Sequence, residues 1–228
     1  MEEKIQNIVD ALNKRFVSHP WHGISIGKKA PEKINSFIEI IPSDTIKYEV
    51  DKESGYNMVD RPQKYSNNMP CWYGFVPQTY CDTLVAAYAN EKTGRTNIVG
   101  DEDPLDICII SERQIDRGNI LAEAIPVGGF RMIDGGEADD KIIAVLKDDQ
   151  AYGDCKDISE LPEKVMNRVK HFFLTYKDFE GGAKEVEITH VYGKEEAYEV
   201  IKRSNKDYIN KYGDANEELA KALVNALK

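Results

Sequence analysis

The sequence predicts an α+β protein: a β core flanked by α-helices, with extra helices at both termini. Three patterns predict it. Apolar residues recur at helical spacing near the start, short alternating runs fill residues 36–145, and the helical period returns after Asp157. Taken in order, Ile5, Ile8, Val9 and Leu12 share one face, which predicts an amphipathic helix over 2–15. The connector HPWHGISIGKKAP (19–31) follows, interrupted by Pro and Gly. Apolar runs at 37–41, 46–50, 105–110, 120–127 and 141–146 are separated by Pro, Gly and Asp clusters. That is the cadence of a small barrel or sandwich and not of βαβ units. Residues 76–100 read as a connection too long for a hairpin, of the kind kept for function or an interface. Val165, Val169, Phe172, Phe173 and Tyr176 share a helical face that Gly181-Gly182 ends. Helices over 195–211 and 214–227 complete the chain, the last capped by Asp214. One domain over 1–228 accommodates all of this, with its core at about 36–178 and a C-terminal helical extension over about 194–227.

Composition narrows the function. Hydrophobic residues make up 41% of the 228, enough for a real core, which excludes wholesale disorder. The 30 Lys+Arg against 40 Asp+Glu leave a net charge of −10, which argues against nucleic acid and anionic membrane surfaces as partners. No apolar run approaches the roughly 18 residues of a membrane helix. The charged start carries no signal-peptide core, so a cytoplasmic protein is expected. Cys71, Cys81, Cys108 and Cys155 form no CxxC pair and read as reduced thiols. His19 and His22 match no zinc-ligand spacing.

The chemistry concentrates in two acidic segments, each opening an apolar run. They are Asp101-Glu102-Asp103-Pro104-Leu105-Asp106 and Asp134-Gly135-Gly136-Glu137-Ala138-Asp139-Asp140-Lys141. Crowded carboxylates at the mouth of a buried strand need a compensating cation, and hard divalent ions with oxygen ligands supply one. An EF-hand is excluded, because Leu105 stands at the fifth loop position and Asp106 where the turn needs Gly. Magnesium, which takes few carboxylates and keeps water or substrate oxygens, suits separated acids better. Strand alternation sets Lys47 and Glu49 on one face of 46–50, and Glu39 points away from Ile38 and Ile40. Arg61, Tyr176 and Lys177 add donors, giving the cations and phenols that a polyanionic substrate needs beside a metal. The segment from Gly23 to Lys29 is no P-loop, since its glycines stand too close and Lys29 replaces Ser/Thr. Two Trp are few for a carboxylate-pair glycosidase. A metal-binding module without catalysis, or another Mg²⁺-dependent phosphohydrolase, shares the same acids.

The ordered motifs resemble those of the soluble family I inorganic pyrophosphatases, in a longer subgroup with terminal extensions. They are IEI (38–40), IKYEVDKESG (46–55), VDRP (59–62), PCWYGFVPQTYC (70–81), Asp-x-Asp-Pro-x-Asp (101–106), DGGEADDKIIAV (134–145) and HFFLTYKD (171–178). The resemblance implies a five-stranded OB-like β-barrel with helices around it. It also implies Mg²⁺-dependent hydrolysis of pyrophosphate to two orthophosphates by direct attack of water, with Mn²⁺ as a substitute ion. By it, Asp101, Asp106 and Asp139 ligate the first metals and Asp103 and Asp134 further ones. Asp103 is also the general base, and Glu39 acts near metal through water. Lys47, Arg61, Lys141, Tyr176 and Lys177 grip the phosphoryl groups, Glu49 joins the substrate side mostly through water, and Tyr73 is the buried phenol beside the acids. Met69 stands where the pattern has Tyr, so that phenol is either missing or supplied by a neighbour such as Tyr65. Gly135 stands where Glu is usual, with Glu137 the replacement at hand. A homo-oligomer, dimer or hexamer, is the implied assembly.

Overall fold

The computed structural model describes residues 7, 11, 12, 14–177, 186–213, 221, 222, 224 and 225. Of the helix expected over 2–15, residues 7, 11 and 12 are helical and 14–15 form a turn; the rest lies outside the described residues. Outside them too are the Gly181-Gly182 stop, the Asp214 cap and most of the helix expected over 214–227.

Ten strands and three helices follow one another along the described chain. The strands are β1 (Ile34–Ile40), β2 (Ile46–Val50), β3 (Asn57–Pro62), β4 (Trp72–Phe75), β5 (Val99–Gly100), β6 (Asp106–Ile110), β7 (Ile120–Asp134), β8 (Glu137–Ala138), β9 (Lys141–Leu146) and β10 (Val186–Gly193). The helices are α1 (Thr83–Thr93), α2 (Glu163–Thr175) and α3 (Lys194–Tyr212). Strands β1, β4, β6, β9 and β7 pair in that order, and β7 pairs back onto β1, closing a ring of five. Only β6 and β9 in this ring are parallel. The expected five-stranded core is therefore present, with one exchange of strands. β2 lies outside the ring, paired with β3 in a separate two-stranded sheet, and β4 takes its place.

The exchange has a steric basis. β4 is four residues long and contains Gly74, where a Cβ would lie 1.9 Å from the Phe37 carbonyl oxygen. A short run holding a glycine carries little strand signal, yet that glycine lets β1 approach. β7 runs to Asp134, well beyond the expected end at 127, because its first half pairs β1 and its second half pairs β10. Residues 76–100 are not a loop throughout, since α1 occupies Thr83–Thr93. Val85, Ala86, Tyr88 and Ala89 are buried there without a clean amphipathic stripe, so periodicity had nothing to register.

Both faces of the ring strands are covered. Ile107 and Ile109 of β6 and Ile142 and Ala144 of β9 join the cluster packed with Val200 and Ile201 of α3. Cys108, Ile110, Ile143 and Val145 join the other cluster, with Val169 and Phe173 of α2. Alternate residues thus enter opposite cores, and each strand reads as one unbroken apolar run. All four cysteines are free thiols.

The helices are tied together by Asp207 of α3, 3% exposed, whose carboxylate accepts from the backbone N–H groups of Asp82, Leu84 and Val85. It caps α1 from across the chain in place of a local N-cap side chain. Asp207→Ala strands these donors, so equilibrium urea unfolding should show a loss of about 1–3 kcal/mol. An unchanged midpoint would remove this cap from the account.

Candidate active site

The first residues of β6 and β9 are register partners, Asp106 beside Lys141. By alternation both face the α2 side of the ring, where the strands open into a cavity of about 360 Å³. Its wall holds the residues singled out from the sequence, with Arg61 and Tyr65 excepted: Glu39, Lys47, Glu49, Tyr73, Asp101, Asp103, Asp106, Asp134, Asp139, Lys141, Tyr176 and Lys177. Trp21, Lys52, Gln63, Glu137, Phe172 and Phe173 complete the lining relevant to charge and shape.

At the floor, the Lys141 ammonium, 3% exposed, bonds to both Asp106 and Asp139. Burial works against its charge, and the two carboxylates outweigh this and hold its pKa above the ordinary value. Tyr73 donates its hydroxyl to Asp106 Oδ2 at 2.6 Å. Burial and the Asp106 charge keep it a phenol, its pKa pushed up. Burial, with further acids beside it, raises Asp139. Asp101 is pushed up to about 9, first by burial and then by the Asp139 charge, against the Asp103 N–H that it accepts at 3.0 Å.

The acidic segment is pinned by its backbone. Cys81 N–H donates to Asp103 O at 2.9 Å, and Glu102 N–H donates to Cys81 O at 3.0 Å. Thr79 Oγ1 accepts from Leu105 N–H at 2.9 Å. The stretch 76–81 thus serves as a brace along 101–105. The second acidic segment opens with a two-residue turn, in which Gly135 and Gly136 both take positive φ between the paired Asp134 and Glu137. Such a turn needs left-handed backbone at both central positions, which is why glycines stand there. Asp134 pairs with Lys177, just beyond α2.

Glu39 reaches the cavity through a β-bulge. Ile38 pairs with Gly74 and Ile40 with Tyr73, which leaves Glu39 as the extra residue. It is buried, accepts from Val50 N–H at 2.6 Å, and is pushed up to about 8, chiefly by burial. On the β2–β3 arm, Lys47 contacts Glu49 and lies 2.9 Å from Asp60. Arg61 sits opposite Lys47 in register, but its guanidinium holds Asp60 at 2.6 Å, outside the cavity wall.

Sequence reasoning missed Lys52, which pairs with Asp103 at the rim. Its signal was present in the DKESG turn, where a cation next to Asp51 reads as an ordinary turn residue. Met69 is buried and lines the cavity, whereas Tyr65 is 73% exposed and lies outside the wall. Glu137 does reach the cavity. His22 bonds through Nδ1 to the Tyr208 hydroxyl at 2.8 Å, and its pKa is lowered by burial to about 4. Among the described residues, no three His, Cys, Asp or Glu side chains form a ready metal cage. The donors are carboxylates alone, and burial raises Asp101, Asp139 and Glu39 together. A set of this kind fits a hard divalent ion that takes one or two carboxylates and completes its shell with water and phosphate oxygens. Lys47, Lys52, Lys141 and Lys177 on the same wall suit a multiply charged anion.

Comparison with known proteins agrees with this chemistry. The family model described as inorganic pyrophosphatase matches residues 36–209. The inorganic pyrophosphatase of Chlamydia muridarum (strain MoPn / Nigg) is 49% identical over 199 residues, covering 85% of this chain and 95% of that protein. Soluble inorganic pyrophosphatase 1 of Arabidopsis thaliana is 38% identical, covering 87% of this chain and 84% of its own. The crystal structure of inorganic pyrophosphatase from Thermus thermophilus superposes with a TM-score of 0.70 at 29% identity, over 83% of this chain and 98% of that one.

The raised carboxylates set a pH dependence. Glu39 and Asp101 hold protons more tightly folded than unfolded, so the unfolded chain binds fewer protons in the window between the two values. Folding stability should therefore fall as pH rises toward the folded values of about 8 and about 9. His19 and His22, lowered by burial, act in the opposite sense only below their ordinary value of 6.5. In EDTA, the calorimetric melting temperature is expected to drop between about pH 6.5 and about pH 8. Glu39→Gln should flatten this slope, and a wild-type melting temperature that holds or rises across that window would contradict the assignment.

Proposed function

This chain belongs to the inorganic pyrophosphatase family and hydrolyses pyrophosphate, and from that premise we propose that it does so with magnesium, by direct attack of water on one phosphorus. The observation that carries this reading is a single cavity in which eight aspartates and glutamates at its floor and edge face four lysines. Asp101, Asp106 and Asp139 would hold the first ions, and Asp103 and Asp134 further ones, with Glu39 acting through water and Mn²⁺ able to use the same oxygens. Bound divalent ions supply positive charge to the pyrophosphate oxygens and lower the pKa of the attacking water.

The chain's own groups do the rest. Asp103, half exposed at the rim, takes the proton of the attacking water. Lys47 and Lys177 neutralise charge that spreads onto the leaving phosphate, the main electrostatic demand of phosphoryl transfer. Arg61 joins them by exchanging Asp60 for a phosphate oxygen, and Glu49 holds Lys47 in place meanwhile. Lys141 keeps Asp106 and Asp139 side by side and offers its remaining proton to a phosphoryl oxygen. Tyr176, stacked on Phe172 at 5.3 Å, presents a fixed phenol, and Tyr73 orients Asp106. No covalent enzyme intermediate is required. One domain over 1–228, residence in the cytoplasm and assembly as a homo-oligomer belong to the same proposal. Among the described residues, no helix is long and apolar enough to cross a membrane.

Phosphate release should be measured on pyrophosphate, ATP and tripolyphosphate, each with MgCl₂ and with EDTA. Release from pyrophosphate that needs Mg²⁺ is expected, and equal rates in EDTA would overturn the metal requirement. Asp103→Asn should fold, bind Mg²⁺ and lose about 100-fold or more in kcat. Near wild-type turnover would take Asp103 out of the proton-accepting role.

A further inference from the structure

Behind the cavity lies a second group of charges, which the hydrolysis reading does not use. Arg131 of β7 and Asp140, the residue before β9, are both fully buried. Arg131 Nη2 lies 3.3 Å from Asp140 Oδ2 and 3.0 Å from Glu196 Oε1 of α3. Tyr192 of β10 donates its hydroxyl to the same Asp140 oxygen at 3.0 Å. The guanidinium carbon sits 5.2 Å from the Tyr88 ring and 5.3 Å from the Tyr192 ring. Arg131 Nε and Nη1 and Asp140 Oδ1 are buried without a hydrogen-bond partner among the described residues.

An ion pair that is fully desolvated and only partly satisfied is a poor source of stability, and apolar residues of similar volume commonly do as well. Its effect here is geometric. Strand alternation sends residues 139 and 141 to one side and residue 140 to the other. Asp139 N–H donates to Met132 O at 3.0 Å, so this segment already runs beside β7, one residue from Arg131. With Asp140 committed to Arg131, Asp139 and Lys141 must both face the cavity. A slip of one residue would turn Asp140 outward and bury Asp139 and Lys141 against the helices.

We propose that Asp140 is a positioning residue for the reaction site, in which its contacts with Arg131 and Tyr192 fix the strand register that presents Asp139 and Lys141 together. The inference rests on the hydrolysis reading of the cavity. Three variants test it: Asp140→Asn, Tyr192→Phe, and the double change Arg131→Met with Asp140→Leu. For each, kcat and KM on pyrophosphate, the Mg²⁺ affinity by titration calorimetry, and the melting temperature are measured on the full chain. Asp140→Asn should lower kcat and weaken Mg²⁺ binding by about tenfold each, with a smaller change in KM. The double variant should regain the wild-type melting temperature while kcat and Mg²⁺ affinity stay low, a separation that a purely structural pair would not produce. Recovery of all three quantities in the double variant, or wild-type kcat and Mg²⁺ affinity in Asp140→Asn, overturns the proposal. If neither variant folds, Tyr192→Phe decides, since it removes one hydrogen bond. A loss of about threefold in Mg²⁺ affinity at an unchanged melting temperature supports positioning, and no loss refutes it. A wild-type protein that fails to hydrolyse pyrophosphate indicts the functional reading, and the Mg²⁺ affinities of the variants still decide the role of Asp140.

Discussion

Everything in the site depends on one buried ammonium. Lys141 lies almost wholly out of water between Asp106 and Asp139, and without it two carboxylates would face one another in a poorly solvated floor. The parallel register of β6 and β9 sets this arrangement, because it places Asp106 and Lys141 side by side at the first rung. The remaining acids, Asp101, Asp103, Asp134 and Glu39, are then gathered around that rung by loops and a bulge.

The ring explains why the acids and the apolar runs are adjacent in sequence. A strand covered on both faces must be apolar along its length, so polar chemistry is confined to its end. At that end β6 and β9 emerge into the cavity, and each brings its own acidic segment. Two backbone devices extend the reach of the site. The bulge in β1 turns Glu39 inward from a strand that would otherwise present it elsewhere, and the brace from 76–81 holds the first acidic segment taut. Lysines pair with the rim acids: Lys52 with Asp103 and Lys177 with Asp134.

The acidic motifs, Lys47 of β2 and the Tyr-Lys pair after α2 were legible because their chemistry is local, set by residue type and spacing. So were the ring strands at 37–41, 105–110 and 141–146, whose β-branched runs leave no other reading. The place of β4 was not legible, since its entry into the ring depends on Gly74 admitting the Phe37 carbonyl. α1 was missed because apolar residues such as Leu84 and Ala87 also lie off its buried face, which blurs the helical period, and its cap comes from Asp207, far along the chain. Lys52 and the standing of Arg61 likewise depend on which partner each side chain meets, Asp103 for one and Asp60 for the other.

By itself the sequence determined the class of chemistry and its location: carboxylates at strand mouths, cations nearby, and apolar runs long enough to hold both. Alternation and turn chemistry act over a few residues, so they can be read from neighbours in the chain. Tertiary structure alone decided that β2 stays outside the ring, that Met69 and not Tyr65 lines the cavity, and that the partner Asp140 meets on the far side is Arg131. Those outcomes arise from contacts between segments far apart in sequence, where the space left by one side chain selects the conformation of another.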